Sequence, residues 1–216
     1  MPPIVSIVGK SETGKTTLIT KLIKELKSRG FHVTTIKHTA QDISFDQPDK
    51  DSWHHIQAGS EATVLSSPGG LALIKPVTQA LTVEQVARHL GEDYDIILAE
   101  GFKQSNAPKI EVHRKEVGSP LGNIKRLIAI VTDEPLDTKA RQFSPDDIKG
   151  LADLLEKGFI KPQRKRTLLY VNNTPVILTA FPREVIKNTL LGMISSLKGI
   201  DKVKSVEIYL NEEGDS

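Results

Sequence analysis

Gly9, Gly14, Lys15 and Thr16 stand in the spacing G-x-x-x-x-G-K-T, within Ile4-Val5-Ser6-Ile7-Val8-Gly9-Lys10-Ser11-Glu12-Thr13-Gly14-Lys15-Thr16-Thr17-Leu18. An apolar run leads into the first glycine, and an amphipathic segment follows the threonine. That strand-loop-helix setting is what a phosphate-binding P-loop requires. Successive backbone N–H groups can converge on a polyphosphate, and glycine permits the close approach. The positive end of the following helix faces the same anion. Lys15 is placed to reach the β- and γ-phosphates, and the Thr16 hydroxyl to ligate Mg²⁺. The plain alternative is a glycine-rich turn between a strand and a helix.

A second acidic group fits this chemistry. The run Asp95-Ile96-Ile97-Leu98-Ala99 ends at Glu100, where a carboxylate can sit beside the Mg²⁺ held by Thr16. Asp95 belongs at the far end of the same strand. Asp42, Asp46 and Asp51 lie in a polar stretch after the second strand, a place from which a loop can close on phosphate and metal. Lys15, Glu100 and Asp46 are therefore the candidates for catalysis. Lys37 and His38 share that edge and suit anionic groups. Lys10 precedes Lys15 by five residues, a spacing at which some P-loop proteins reach a nucleotide across a dimer interface. Ser11 and Glu12 stand where the rest of that signature has glycines. Thr132-Asp133 follows a strand and could contact the base. His54 and His55 are adjacent on a helix and face different ways. Arg114, Arg126 and Arg141 are scattered, with no arginine-rich lid, and no arginine finger can be placed.

These residues need a scaffold. Ile4 to Val8 is a short apolar run, as in a strand buried on both faces. Leu18, Leu22, Ile23 and Leu26 line one face of the next helix, which stops at Gly30. Phe31 to Lys37 is β-rich, completing a right-handed β-α-β unit. A short helix over 52–58, two strands at 62–66 and 71–74, and a helix opened by the capping box Thr82-Val83-Glu84-Gln85 follow. Further strands are expected at 94–99, 109–113 and 127–131. A helix is expected to start at Ser144-Pro145-Asp146-Asp147. The fold expected is α/β, a P-loop NTPase-type mostly parallel sheet with helices on both faces, over 1–156. Residues 157–166 read as a linker with the basic cluster Arg164-Lys165-Arg166. Residues 167–216 read as a small ββαβ module: a hairpin turning at Asn172-Asn173, a helix with Ile186, Leu190, Met193, Ile194 and Leu197 on one face, and a last strand from Val203 to Leu210. Such a piece needs a surface to dock on.

Composition narrows the class. The 216 residues carry a net charge of +2, too small to argue for nucleic acid or an anionic membrane surface. Cysteine is absent, which rules out disulfides and thiolate metal sites. No apolar run approaches bilayer length, and no signal-peptide pattern opens the chain. The expectation is a cytoplasmic protein with no membrane and no nucleic-acid partner.

The chain resembles the molybdopterin-guanine dinucleotide biosynthesis protein B family. The resemblance rests on Gly9 to Leu18, Ile36-Lys37-His38-Thr39, Phe45-Asp46-Gln47-Pro48-Asp49-Lys50-Asp51-Ser52 with Ala58-Gly59, and Ile96 to Lys103. Pro108-Lys109-Ile110-Glu111-Val112 and the Asp146-Asp147-Ile148 helix start fit as well. It covers roughly residues 3 to 156. Two positions depart: Ala40 and Gln41 stand where the family often has a second histidine, and Asp49 replaces the glycine of Pro-Gly-Lys-Asp-Ser. The resemblance implies a homodimeric GTP- and Mg²⁺-binding protein with low GTPase activity. It would assist a separate guanylyltransferase in attaching GMP to molybdopterin. The nucleotide-side positions implied are Gly9, Lys10, Thr13, Gly14, Lys15, Thr16, Thr17, Lys37, His38, Lys50, Asp51, Gly101 and Asp133, with Thr16 and Glu100 at the metal. Two other classes fit the P-loop: a small-molecule kinase, and a nucleotide-gated scaffold without turnover.

Overall fold

The computed structural model describes residues 1–39 and 47–163, and beyond them 167, 169–171, 174–176, 178–200, 203, 206 and 208. Asp42, Asp46, the cluster 164–166 and the turn 172–173 lie outside the described residues. The chain divides into two units, residues 1–164 and 165–216.

The first unit is built on apolar runs too short for helices. β1 (Ile4–Val8), β5 (Ile96–Glu100), β6 (Lys109–Val112) and β7 (Leu127–Val131) form its centre, with β2 (Val33–Lys37) at one edge and β8 (Arg141–Phe143) at the other. The order is β2-β5-β1-β6-β7-β8, and every pairing is parallel. Both faces are covered. Val5, Ile7, Ile96 and Leu98 meet Leu18, Leu22 and Leu26 of α1 (Lys15–Ser28), and Leu151 and Leu155 of α4 (Ile148–Leu155). The alternate residues Ile4, Ile97 and Ala99 meet Val83 and Ala87 of α3 (Val83–Arg88). This is the period-2 alternation of a sheet sandwiched between helices.

Several boundaries differ from the sequence reading. β8 was not expected: Arg141 and Gln142 are exposed, so no apolar run marks it, and it exists by pairing with β7. α4 begins at Ile148, because Asp147 is its N-cap and accepts from Gly150 N at 3.0 Å. The helical course then continues through a π segment, Glu156–Ile160, and α5 (Lys161–Gln163). The expected linker is thus helical over its first seven residues, and Ile160 is a buried member of the core. The Thr82 capping box forms as expected. α2 (Asp51–Gln57) leads into the hairpin of β3 (Thr63–Ser67) and β4 (Gly70–Ile74), a separate two-stranded sheet.

In the second unit, β9 (Leu169–Val171) pairs antiparallel with β10 (Thr174–Val176), and α6 (Ala180–Ser195) follows. Ile186, Leu190 and Ile194 are half-buried, but Met193 and Leu197 are exposed, unlike the single inward face expected. The stretch from Val203 to Leu210 lies mostly outside the described residues, and Val203, Val206 and Ile208 belong to no strand.

Candidate functional site

The carboxyl edge of the central strands gathers the chemistry. The strand order switches direction at β1, with β5 on one side and β6 on the other, which is where open α/β sheets bind ligands. Gly9 leaves β1 with no room for a side chain: a Cβ there would fall 2.5 Å from Val112 O and 2.8 Å from Thr13 Oγ1. Thr13 is buried and donates to Lys10 O at 3.0 Å, pinning the loop. Gly14 takes φ 89 and caps α1, and Leu18 N reaches Gly14 O at 2.9 Å. Lys15 Nζ donates to Lys10 O at 2.5 Å, arching over the loop. Burial pushes the Lys15 ammonium below the usual lysine value, against the pull of Glu100.

Glu100 ends β5 beside the loop. Thr16 Oγ1 donates to its carboxylate, at 3.1 Å to Oε2 and 3.3 Å to Oε1. Lys37 Nζ stands 3.9 Å from Oε1, since Lys37 and Glu100 are register partners on β2 and β5. A hydroxyl and a carboxylate are oxygen donors of the kind Mg²⁺ takes, with phosphate oxygens and water completing its shell. The donor pair therefore fits that ion. Among the described residues no cluster of three or more His, Asp or Glu forms a self-sufficient metal cage.

Two expected segments interlock on this side. His38 N donates to Glu100 O at 3.0 Å, and Gly101 N to Ile7 O at 2.9 Å. Gly101 takes φ 97, and a Cβ there would meet His38 Cβ at 3.2 Å. Phe102, at φ 54, lays its ring against the His38 ring, with centroids 4.6 Å apart. The Lys-His and Glu-Gly-Phe-Lys segments thus form one packed corner.

The remaining candidates lie in the loop, at its margin or beyond it. Thr17 is exposed on α1. Lys10 lies within the loop, its Nζ 3.7 Å from where a Gly118 Cβ would stand. Lys50 and Asp51 open α2 on the surface, and among the described residues no hydrogen bond or ion pair joins them to the P-loop. Asp133, after β7, is exposed and accepts from Lys115 N at 3.0 Å, a bond that holds its carboxyl below the ordinary value. Arg114 was not expected here, yet it lies beside Gly14. A weaker signal was present: it follows the alternating strand expected at 109–113, at the carboxyl edge, where Glu100 also stands.

The all-parallel core, the G-x-x-x-x-G-K-T loop and the acidic strand end define a protein of the P-loop NTPase type. The family model described as molybdopterin guanine dinucleotide synthesis protein B matches residues 4–133. The chain belongs to that family. It is 35% identical over 156 residues to a molybdopterin-guanine dinucleotide biosynthesis adapter protein of Haemophilus influenzae, covering 71% of this chain and 88% of the relative. An Escherichia coli protein of the same description is 34% identical, over 72% of this chain and 92% of its own length. The crystal structure of a molybdopterin-guanine biosynthesis protein B superposes with a TM-score of 0.54 at 29% identity, covering 71% of this chain and 97% of that one.

Proposed function

We propose that this chain is a GTP-binding adapter in molybdenum cofactor biosynthesis, acting beside a guanylyltransferase that converts molybdopterin to its guanine dinucleotide. The observation that carries the reading is the Thr16–Glu100 hydrogen bond at the head of the P-loop. Thr16 and Glu100 would hold a Mg²⁺ ion there, and the ion would neutralise charge on a bound nucleotide's phosphates. Lys15 would neutralise the phosphates, and Lys37 and His38 would face the same edge. Family membership, not any base-reading motif, supports guanine.

Turnover in this reading is slow. Among the described residues at the site no glutamine stands where it would orient a water, so Thr16, Glu100 and Lys15 would carry most of the charge stabilisation. A partner that completes the site would accelerate it. Calorimetric titration with Mg-GTP and Mg-ATP tests binding: GTP is preferred, and Lys15→Ala weakens it strongly. Equal binding by the variant would remove the P-loop assignment. Labelled GTP added to a metabolite pool separates the classes. Slow phosphate release supports the adapter, a new phosphorylated product the kinase, and no release the scaffold.

The adapter is further proposed to act in the cytoplasm as a homodimer. The β3–β4 hairpin supports a second copy as partner. Val64, Leu65, Leu71 and Leu73 are all exposed on it, and a lone two-stranded sheet is marginal in water. Sedimentation of Leu71→Glu/Leu73→Glu protein should give a monomer; an unchanged dimer removes the hairpin from the interface. Among the described residues no helix is long and apolar enough to cross a membrane.

A further inference from the structure

Arg114 follows β6, the neighbour of β1 on the side away from β5. Its Nη2 lies 3.5 Å from where a Gly14 Cβ would stand, so the guanidinium rests against the backbone that closes the P-loop. Its Nη1 is buried and has no hydrogen-bond partner among the described residues. A guanidinium stays charged and carries N–H donors on every nitrogen. A buried donor left without an acceptor is costly, and such a group calls for a partner the chain does not supply: a water, an ion or a ligand.

The flanking residues fix this placement. His113 is buried, its N donates to Val131 O at 2.8 Å, and its Nε2 is 2.9 Å from Glu134 Oε1. On the other side Lys115 N donates to Asp133 Oδ1 at 3.0 Å. The 132–134 loop is itself closed, with Thr132 Oγ1 donating to Glu134 O at 2.8 Å. Arg114 is therefore held between two anchors that tie its segment to the loop after β7. The sheet order separates the charges. Thr16, Glu100 and Lys37 stand on the β5 side of the P-loop, and Arg114 on the β6 side with Asp133 beyond it.

We propose that Arg114 is a phosphate-binding residue supplied by the chain itself, gripping the phosphates nearest the nucleoside from the flank opposite Glu100. The inference rests on the nucleotide reading above. Thr16 and Glu100 would hold the metal and the terminal phosphate on their flank, so the opposite flank would meet the α/β end that GDP and GTP share. A planar guanidinium suits two phosphate oxygens at once, which an ammonium does not.

The test is titration of wild type, Arg114→Met and Arg114→Lys with GTP and with GDP, alongside melting of the nucleotide-free proteins. Arg114→Met should weaken both nucleotides by the same factor, ten-fold or more, leaving the GTP-to-GDP ratio unchanged. Arg114→Lys should recover part of the loss. The melting temperature of nucleotide-free Arg114→Met should not fall, because the buried Nη1 has no bond to lose. Binding of both nucleotides within two-fold of wild type overturns the inference, as does a loss confined to GTP. Loss of binding with a lowered melting temperature and no recovery in Arg114→Lys makes Arg114 structural and overturns it too. A wild type that binds neither nucleotide sinks the nucleotide reading first, and this inference with it.

Discussion

Thr16 and Glu100, 84 residues apart, are joined by a hydrogen bond of 3.1 Å at the mouth of the P-loop. The bond makes Glu100 the partner of the hydroxyl that, in the proposed function, would hold the metal, while Lys15 bonds within the loop itself. On the proposed function, Glu100→Gln would remove charge from the metal side and leave the loop backbone intact. Nucleotide affinity should stay within a few-fold of wild type, and single-turnover hydrolysis should fall by about ten-fold or more. The two quantities are measured on one preparation. Unchanged hydrolysis would take Glu100 out of the mechanism and direct attention to Asp42 and Asp46.

Gly9 and Gly30 separate two reasons for glycine. Gly30 takes φ 81 past the end of α1, with nothing within 4 Å of a Cβ. Gly30→Ala should cost only the left-handed backbone, about 1 kcal/mol after the entropy lost by the unfolded chain. At Gly9 a Cβ would strike Val112 O at 2.5 Å, a backbone atom that moves only if β1 and β6 part. Gly9→Ala should destabilise well beyond Gly30→Ala and abolish nucleotide binding. Urea unfolding of both variants decides it. Equal midpoints would mean that the β1–β6 seam can open cheaply.

Arg29 ties the end of α1 to the last helical stretch of the first unit. Its guanidinium meets Glu25 at 2.8 Å, Asp153 at 2.6 Å and Glu156 at 2.9 Å. The hydrogen bond from Arg29 comes first in holding Asp153 below the ordinary carboxylate range. For Glu156, the bond from Lys161 leads and that from Arg29 follows. Folded values below the unfolded ones mean stability present above about pH 4, lost as pH falls through the lowered values. Asp153 is half-exposed, so screening trims the effect. Arg29→Met should lower the melting temperature by several degrees at pH 7, and the gap should close below about pH 4. A gap of constant size from pH 7 to pH 3 would assign the loss to packing.

How much of this could be read in advance depended on whether the signal was local. The P-loop turn, the Thr82 capping box and the apolar run before Glu100 are each written within about fifteen residues; the first two form where expected, and the strand expected at 94–99 forms at Ile96–Glu100. β8 is set by its pairing with β7, and its exposed Arg141 and Gln142 leave no apolar trace. The His38–Phe102 contact and the approach of Arg114 to Gly14 join segments that only the sheet order brings together. The departure at Asp49 proves mild for the backbone. It takes φ 66, the left-handed region a family glycine would fill, and Asp tolerates that region better than most residues.

Lys109 shows a family-motif residue working away from the site. It opens β6 fully buried, and Nζ donates to Ser105 O at 2.5 Å, Ala107 O at 3.0 Å and Lys125 O at 3.3 Å. Burial pushes its ammonium below the ordinary lysine value, and Arg126 adds to the shift. These carbonyls come from the segments entering β6 and β7, at the amino edge of the sheet, whereas the P-loop leaves the carboxyl edge. Lys109→Met would leave three carbonyls without their charged donor, while relieving the cost of burying an ammonium. Bonds from a charged donor outweigh that relief when three are lost together, for a net destabilisation of about 2 kcal/mol. Nucleotide affinity of the folded protein should not change. Denaturant unfolding and GTP titration, run on the same variant, separate the two effects. A variant as stable as wild type would mean that the desolvation cost cancels the three bonds. One that unfolds normally but binds GTP more weakly would place Lys109 in communication with the opposite edge.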